Sequence, residues 1–412
     1  MKKMRLTTKI LIGLALGIIV GLMLGGSPHI ATDYILPFGT LFLRMIKMII
    51  VPLVLSSLVV GAASMGDVKK LGRIGGKTIV FYLATTAVAI IIGLILGNIM
   101  QPGAGLSIPV DAAVEAAESP SIANTLLNII PDNALSGLVS ANMLQTIAFA
   151  IFLGIGITLI GEKGKPFLNF FESMAEVMYK IVAIIMSYAP IGVFALIAPV
   201  AAQNGPAVLL PLLKVVLGVY IGCFLHALLV YSSLVKVFAK MNPLTFFKGA
   251  APASVVAFST CSSSGTLPVT IKSTQDNLGV SESVSSFVLP LGATINMDGT
   301  ALYQGVCALF VAQIYGIELG IAQQLTIVLT ATLASIGTAG VPGAGFIMLT
   351  MVLTAVGLPL EGSALIAGID RVLDMARTCV NVTGDMAASV VIAATENELS
   401  VPEETVAEAK EA

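Results

Sequence analysis

The chain has 412 residues, of which 57% are hydrophobic and only 11% charged, with a formal net charge of −2. Soluble domains carry roughly a quarter charged residues, so this composition excludes a water-soluble globule. The near-zero charge excludes the basic footprint of a nucleic-acid binder, and the bilayer is the solvent the sequence is written for.

Several charge-free runs reach or exceed the ~18 to 20 residues that span a hydrocarbon layer of about 30 Å. They occupy Ile10 to Pro28, Met48 to Met65, Thr78 to Val110, Ala134 to Gly161, Ile181 to Leu213 and Val215 to Val235. The first follows Met1-Lys2-Lys3-Met4-Arg5, which resembles the start of a signal peptide, but no small-residue cleavage site follows it. It reads as a retained first helix. Cys223, Cys261, Cys307 and Cys379 all fall in apolar segments, so buried free thiols are expected rather than a disulfide framework. Trp is absent, which leaves the interfacial aromatic belt to Tyr and Phe.

Orientation follows from the basic residues of the short loops. Lys2, Lys3, Arg5 and Lys9 precede the first span; Lys69, Lys70, Arg73 and Lys77 follow the second; Lys163 and Lys165 follow the fourth; Lys236, Lys240 and Lys248 follow the sixth. Those loops are expected in the cytoplasm, with both termini. The alternate loops hold no Lys or Arg, and the long one carries Asp111, Glu115, Glu118 and Asp132. From Glu396 onward the chain is acidic and polar, and it reads as a solvated tail.

After Lys248 the apolar runs are interrupted by clusters that no lipid-facing helix tolerates. Gly249 to Ile271 contains Ser259-Thr260-Cys261-Ser262-Ser263-Ser264-Gly265-Thr266-Leu267-Pro268, and Gly320 to Leu360 contains Gly337-Thr338-Ala339-Gly340-Val341-Pro342-Gly343-Ala344-Gly345. Each reads as two half-helices joined by a polar tip, because non-helical backbone at membrane depth must be buried in protein or line a wet cavity. Matched Gly/Pro breaks in two halves point to a transporter's binding site. A third break, Leu289-Pro290-Leu291-Gly292-Ala293-Thr294-Ile295-Asn296-Met297-Asp298-Gly299-Thr300, sets unwound carbonyls beside Asp298.

The last span, about Ala364 to Thr395, carries Asp370, Arg371, Asp374, Arg377, Asn381 and Asp385. Each charge at a helix centre costs about 2.5–3.5 kcal/mol on insertion scales. Asp370, Asp374, Arg377, Asn381 and Asp385 recur at helical spacing, which places them on one face, turned to the protein interior. A self-neutralising ladder of Asp370 and Asp374 with Arg371 and Arg377 is one reading of that stripe. The other assigns it a ligand: a guanidinium matches a carboxylate bidentately and a nearby Asp suits an ammonium, so Arg377 and Asp374 can hold opposite ends of an acidic amino acid. Asp298, Asp385 and Asn296 are hard oxygen donors that suit alkali cations.

At these residues the chain resembles the glutamate transporter family, the dicarboxylate/amino acid:cation symporters, from about Leu6 to Thr395. The resemblance rests on Ser262-Ser263-Ser264-Gly265-Thr266, Asn296-Met297-Asp298-Gly299-Thr300, Gly337-Thr338-Ala339-Gly340-Val341-Pro342-Gly343 and the stretch from Asp374 through Asp385. It implies an all-α polytopic membrane protein with eight transmembrane helices, two re-entrant hairpins and inverted repeats. Residues 1–75 and 121–205 would form a trimerisation scaffold. Residues 76–120 would hold the third span and an outer loop, and 206–396 the rest of a moving unit: hairpin 1 at about 242–275, a broken span at about 282–315, hairpin 2 at about 320–360 and the last span at about 361–396. Residues 397–412 would be a cytoplasmic tail. The assembly would be a homotrimer in the inner membrane, carrying aspartate or glutamate with about three sodium ions by an elevator motion.

Position by position, the resemblance gives Arg377 the substrate's side-chain carboxylate and Asp374 its amino group. Asn381, Thr378, Thr300, Ser262, Ser263, Val341 and Gly345 surround the rest. One sodium is expected on Asp385, Asn381, Asn296 and Gly292; a second near Thr294, Ser335, Ile336 and Thr338; a third on Tyr82, Thr85, Thr86, Asn296 and Asp298. Cys261 stands where archaeal relatives place an arginine, and Met375 where animal relatives place theirs. Gln304 stands where animal relatives have a proton-carrying glutamate.

C4-dicarboxylate carriers tend to lack the acid at Asp374, and neutral amino acid carriers the arginine; a proton-coupled glutamate symporter is a further alternative. An aspartyl intramembrane protease wants Gly-x-Gly-Asp, and Val382-Thr383-Gly384-Asp385 lacks the first glycine. A serine protease needs a base beside a hydroxyl, and neither His29 nor His226 has a partner recognisable in sequence. An anion leak through the same chain is compatible with the resemblance.

Overall fold

The computed structural model describes residues 6–64, 72–106, 127, 130–140, 142–335, 340 and 343–400. Among them the only β feature is an isolated antiparallel bridge between Val280 and Leu399; the rest is helix and turn. The leading helices are α1 (Leu6–Met23), α2 (Leu36–Ser64), α3 (Gly72–Met100), α4 (Met143–Leu159), α5 (Lys165–Asn204) and α6 (Leu209–Leu225). A π-helical stretch, His226–Tyr231, leads from α6 into α7 (Ser232–Phe238).

The boundaries differ from the charge-free runs in instructive ways. Helix α3 starts before Thr78 and stops at Met100, where Gln101 takes φ +42° and Pro102 follows; residues 107–110 lie outside the described residues. The fourth run is two helices, a short one at Ala134–Val139 capped by Asn133, then α4. Helix α5 begins at Lys165, well before Ile181, because its first half is amphipathic and shows Glu172, Glu176 and Lys180 to the outside. It bends by 50° around residue 186, where Pro190 supplies no N–H to the carbonyl four residues earlier.

Two helix pairs follow, the first with the break that its Ser, Gly and Pro content predicts; in the second, residues 336–339, 341 and 342 between the helices lie outside the described residues. The first is α8 (Pro243–Thr260) and α9 (Ser263–Asp276). Asn242 caps α8, Cys261 turns the chain in the left-handed region at φ +52°, and the Ser262 hydroxyl accepts from Gly265 N at 3.0 Å to start α9. The second is α12 (Ile321–Ser335) and α13 (Ala344–Ala355). Between the two units α10 (Glu282–Ile295) and α11 (Asp298–Ile314) are separated by Asn296 and Met297, with Asn296 extended at φ −85°, ψ 99°.

The last helix, α14 (Ser363–Thr395), is the hub. Among the described residues three helical stretches are long and apolar enough to cross a membrane, Arg73–Met100, Gly205–Phe238 and Leu360–Thr395, and the bent α5 makes a fourth. The last is 83% buried inside the protein, against 39% and 44% for the other two. Helices α6, α8, α9, α10 and α11 surround it, α3 lies along α11, and α1, α2 and α4 gather on α5 and on one another.

The segment after α14 is not a free tail over its first residues. Residues 396–400 fold back on the start of α10: Ser281 N donates to Glu398 O at 3.1 Å, and Ser400 N to Gly279 O at 2.8 Å. Glu396 pairs with Arg73 and with Lys77, the latter at 2.6 Å. Local polarity does not reveal this, because the partners are supplied by α3, more than 300 residues away.

Candidate functional site

The polar stripe of α14 faces inward as its spacing requires: Asp370, Asp374, Arg377, Asn381 and Asp385 are all buried. Arg377 is fully buried and is held from two sides. Its Nη1 donates to Asp370 Oδ1 at 2.7 Å, and its guanidinium carbon sits 4.0 Å from the centre of the Tyr303 ring. Nη2 lies 3.1 Å from Asp374 Oδ1, within ion-pair range but without hydrogen-bond alignment. Nε and Nη2 have no hydrogen-bond partner. Part of the predicted ladder therefore exists, and it orients the guanidinium while leaving donors unused.

The surroundings of those donors come from three elements. A Cβ built on Gly345, in the first turn of α13, would stand 3.2 Å from Arg377 Nη2 and 3.2 Å from Thr300 Cγ2. Asp374 accepts the Thr378 hydroxyl at 3.1 Å. Asn381 accepts from Gly299 N at 2.8 Å and donates to Thr300 Oγ1 at 3.3 Å and to Met297 Sδ at 3.2 Å. The break between α10 and α11 is thus fastened to α14 by one amide side chain. At the hairpin tips Ser262 Oγ donates to Gly340 O at 2.7 Å and Ser264 N to the same carbonyl at 3.1 Å, so the two tips touch. Ser263 is buried beside them.

One turn farther along α14 the oxygen donors collect. Asn296 Nδ2 donates to Asp385 Oδ1 at 2.9 Å and to Asn381 O at 3.0 Å, while Asn296 Oδ1 is buried with no partner. Gly292 permits this approach: a Cβ there would stand 2.4 Å from Asp385 Oδ1 and 2.5 Å from the Tyr82 hydroxyl. A buried carboxylate beside an orphaned amide oxygen is costly without a cation, so this cluster fits an alkali ion. Asp298 is satisfied differently, by Thr86 Oγ1 at 2.6 Å, Tyr231 OH at 2.8 Å and His226 Nε2 at 3.1 Å.

Other expected residues bond elsewhere or lie outside the described residues. Tyr82 OH donates to Val288 O at 3.1 Å, and Thr85 bonds the Tyr82 carbonyl at 3.2 Å within its own helix. Thr294 and Ser335 likewise bond back, to Leu291 O at 2.9 Å and Thr332 O at 2.7 Å. Val341, Ile336 and Thr338 lie outside the described residues.

His226, Tyr231, Tyr303 and Asp370 complete the arrangement without standing among the predicted ligands. His226 does have a partner, the Asp298 carboxylate, contrary to the sequence reading. Arg371 lies at the tip of the first unit: its Nη2 donates to Thr260 O at 3.1 Å, and its Nη1 lies 3.8 Å from Asp374 Oδ2.

The profile of the Sodium:dicarboxylate symporter family matches residues 6–395. A proton/sodium-glutamate symport protein of Geobacillus stearothermophilus is 44% identical over 95% of this chain and 94% of its own length. A proton/glutamate-aspartate symporter of Escherichia coli is 40% identical over 95% and 93%. A C4-dicarboxylate transport protein of Bacillus subtilis is 35% identical over 95% and 94%.

Proposed function

Since the chain belongs to the sodium:dicarboxylate symporter family, whose members are membrane transporters and not enzymes, we propose that it imports L-aspartate or L-glutamate together with sodium ions. The observation that carries this reading is Arg377: a fully buried guanidinium with Nε and Nη2 unpaired, one turn from Asp374. An acidic side chain would take the free donors, and Asp374 would take the ammonium. Gly345 closes over the same guanidinium, so the second hairpin serves as the cover of the bound substrate.

Sodium would occupy the Asp385, Asn296 and Gly292 cluster, with further ions at Asp298 and under the second hairpin, about three per substrate. Coupling has a physical route in Asn381, whose carbonyl holds Asn296 and whose amide holds the backbone next to Thr300. An ion that draws Asn296 toward Asp385 therefore sets the wall of the substrate site. In the same proposal α1, α2, α4 and α5 form the scaffold of a homotrimer, the remaining helices slide as an elevator, eight helices span the membrane, both hairpins re-enter it, and both termini are cytoplasmic.

Proton coupling is the second reading, favoured by the relatives named proton/sodium- and proton/glutamate symporters. A C4-dicarboxylate substrate is disfavoured by Asp374, which would face no ammonium. The deciding experiment is uptake of radiolabelled aspartate into proteoliposomes under separate sodium and proton gradients, with succinate, serine and glutamate as competitors. Sodium-driven uptake blocked by glutamate and not by serine is expected; uptake that follows pH and ignores sodium overturns the cation assignment.

A further inference from the structure

Between α6, α8 and α14 lies a cavity of about 510 Å³ that neither the substrate nor the cation arrangement uses. Its volume falls within the range of about 300–1,000 Å³ that holds small organic ligands. The mouth is framed by Phe224, Leu228, Val255 and Phe258, all exposed on the outside of the helices, an apolar rim that suits hydrocarbon.

The wall offers a ligand almost no polar contact. Tyr220 OH already donates to Val372 O at 2.9 Å, Ser254 and Thr383 share a hydrogen bond at 3.0 Å, and Thr383 Oγ1 donates to Cys379 O at 2.7 Å. No charged side chain lines the cavity. A hydrophilic solute would be desolvated there without compensation, whereas a hydrocarbon chain would not.

One end of the cavity is rimmed by positive charge. Phe247 lines it and Lys248 follows at once on α8; Lys236 stands two turns, about 12 Å, beyond Leu228 along the same helical column; Lys240 lies in the turn between. All three lysines are exposed, and none has an ion-pair partner among the described residues. No Asp or Glu occurs from residue 177 to residue 275. An apolar slot with lysines at one end that form no ion pair among the described residues is complementary to an amphipathic anion, and basic pockets between membrane helices are where anionic headgroups bind.

We propose that this cavity binds an anionic glycerophospholipid, with one acyl chain between α6 and α8 and the phosphate on Lys236, Lys240 and Lys248. The chain would press on the rear of α14, where Ala376 precedes Arg377 and where the Val380 carbonyl accepts the Tyr231 hydroxyl that also holds Asp298. The bound lipid therefore braces the first hairpin against the helix that carries the substrate residues, and its loss slows turnover without changing which substrate is selected.

The absence of tryptophan makes the test direct. Phe258→Trp introduces a single fluorophore at the mouth, and the full-length protein is reconstituted with phospholipids brominated on their acyl chains, either phosphatidylglycerol or phosphatidylcholine. Half-maximal quenching is expected at about ten- to hundredfold lower mole fraction of the anionic lipid, with the preference abolished by Lys236→Gln/Lys240→Gln/Lys248→Gln and the quenching weakened by Ala251→Leu. Equal quenching by both lipids, none by either, a preference that survives the triple substitution, or stronger quenching by a brominated free fatty acid each overturns the proposal. Phe224→Trp serves if Phe258→Trp does not fold. The readout is independent of transport, so it stands or falls apart from the choice of substrate.

Discussion

Asn296 donates its side-chain amide to the carboxylate of Asp385 at 2.9 Å, joining the break between α10 and α11 to the middle of α14. That hydrogen bond spends the nitrogen of Asn296, whose oxygen is buried without a partner next to the carboxylate's residue. Asp385→Asn keeps the shape and removes the charge. Hydrogen bonds and ion contacts to a buried charge are worth about 1.5–3 kcal/mol, so the sodium concentration for half-maximal uptake is expected to rise about ten- to hundredfold. Sodium titration of aspartate uptake checks it; an unchanged titration removes Asp385 from the cation site.

In the proposed function Asp374 is the residue that distinguishes an amino acid from a plain dicarboxylate. Asp374→Asn keeps an acceptor for Thr378 but lowers attraction for an ammonium, so aspartate affinity is expected to fall at least about tenfold, the equivalent of about 1.4 kcal/mol. Succinate, which has no ammonium, is expected to compete as well as before or better. Competition assays on the variant supply the comparison, and a parallel loss for both ligands would assign Asp374 to holding Arg377 alone.

The parts of the site legible in the sequence are those whose physical cost is local. Asp370, Asp374, Arg377 and Asp385 stand out because charge is expensive in an apolar helix, and their spacing alone puts them on one face. The hairpin around Cys261 and Ser262 is legible because Ser, Gly and Pro break a helix wherever they cluster. Tyr303 beneath Arg377, and His226 and Tyr231 on Asp298, are not legible, because each is an ordinary residue of an apolar span until a distant helix brings the charge to it. Glu396 fails for the same reason: polarity suggests a solvated tail, and only tertiary packing supplies Arg73 and Lys77.

Arg371 links the tip of the first unit to Asp374. It caps the end of α8 through the Thr260 carbonyl and approaches Asp374 from the side opposite Arg377. Its side chain is 20% exposed, which limits the strength of both contacts. Arg371→Ala is expected to reduce maximal uptake or aspartate affinity by about two- to tenfold, in keeping with the ~0.5–1.5 kcal/mol of an ordinary hydrogen bond. Kinetics indistinguishable from the parent chain would show that the arginine serves neither the tip nor Asp374.

At the other end of α14, Glu396 ties the helix to the start of α3. Lys77 first, and Arg73 with it, hold the Glu396 carboxyl below its ordinary value of 4.5. A carboxyl whose pKa is depressed on folding contributes stability that is fully present above its unfolded value and is lost as pH falls through the folded one. Glu396→Gln abolishes that contribution at every pH. The melting temperature of the variant in detergent is therefore expected to lie below that of the parent chain by a constant gap from neutral pH down to about pH 4.5, and the gap is expected to close on further acidification. Both partners are partly exposed, so added salt should narrow it as well. A gap that widens in acid would mean that Glu396 is held as a neutral hydrogen-bond donor rather than as the anion between Arg73 and Lys77.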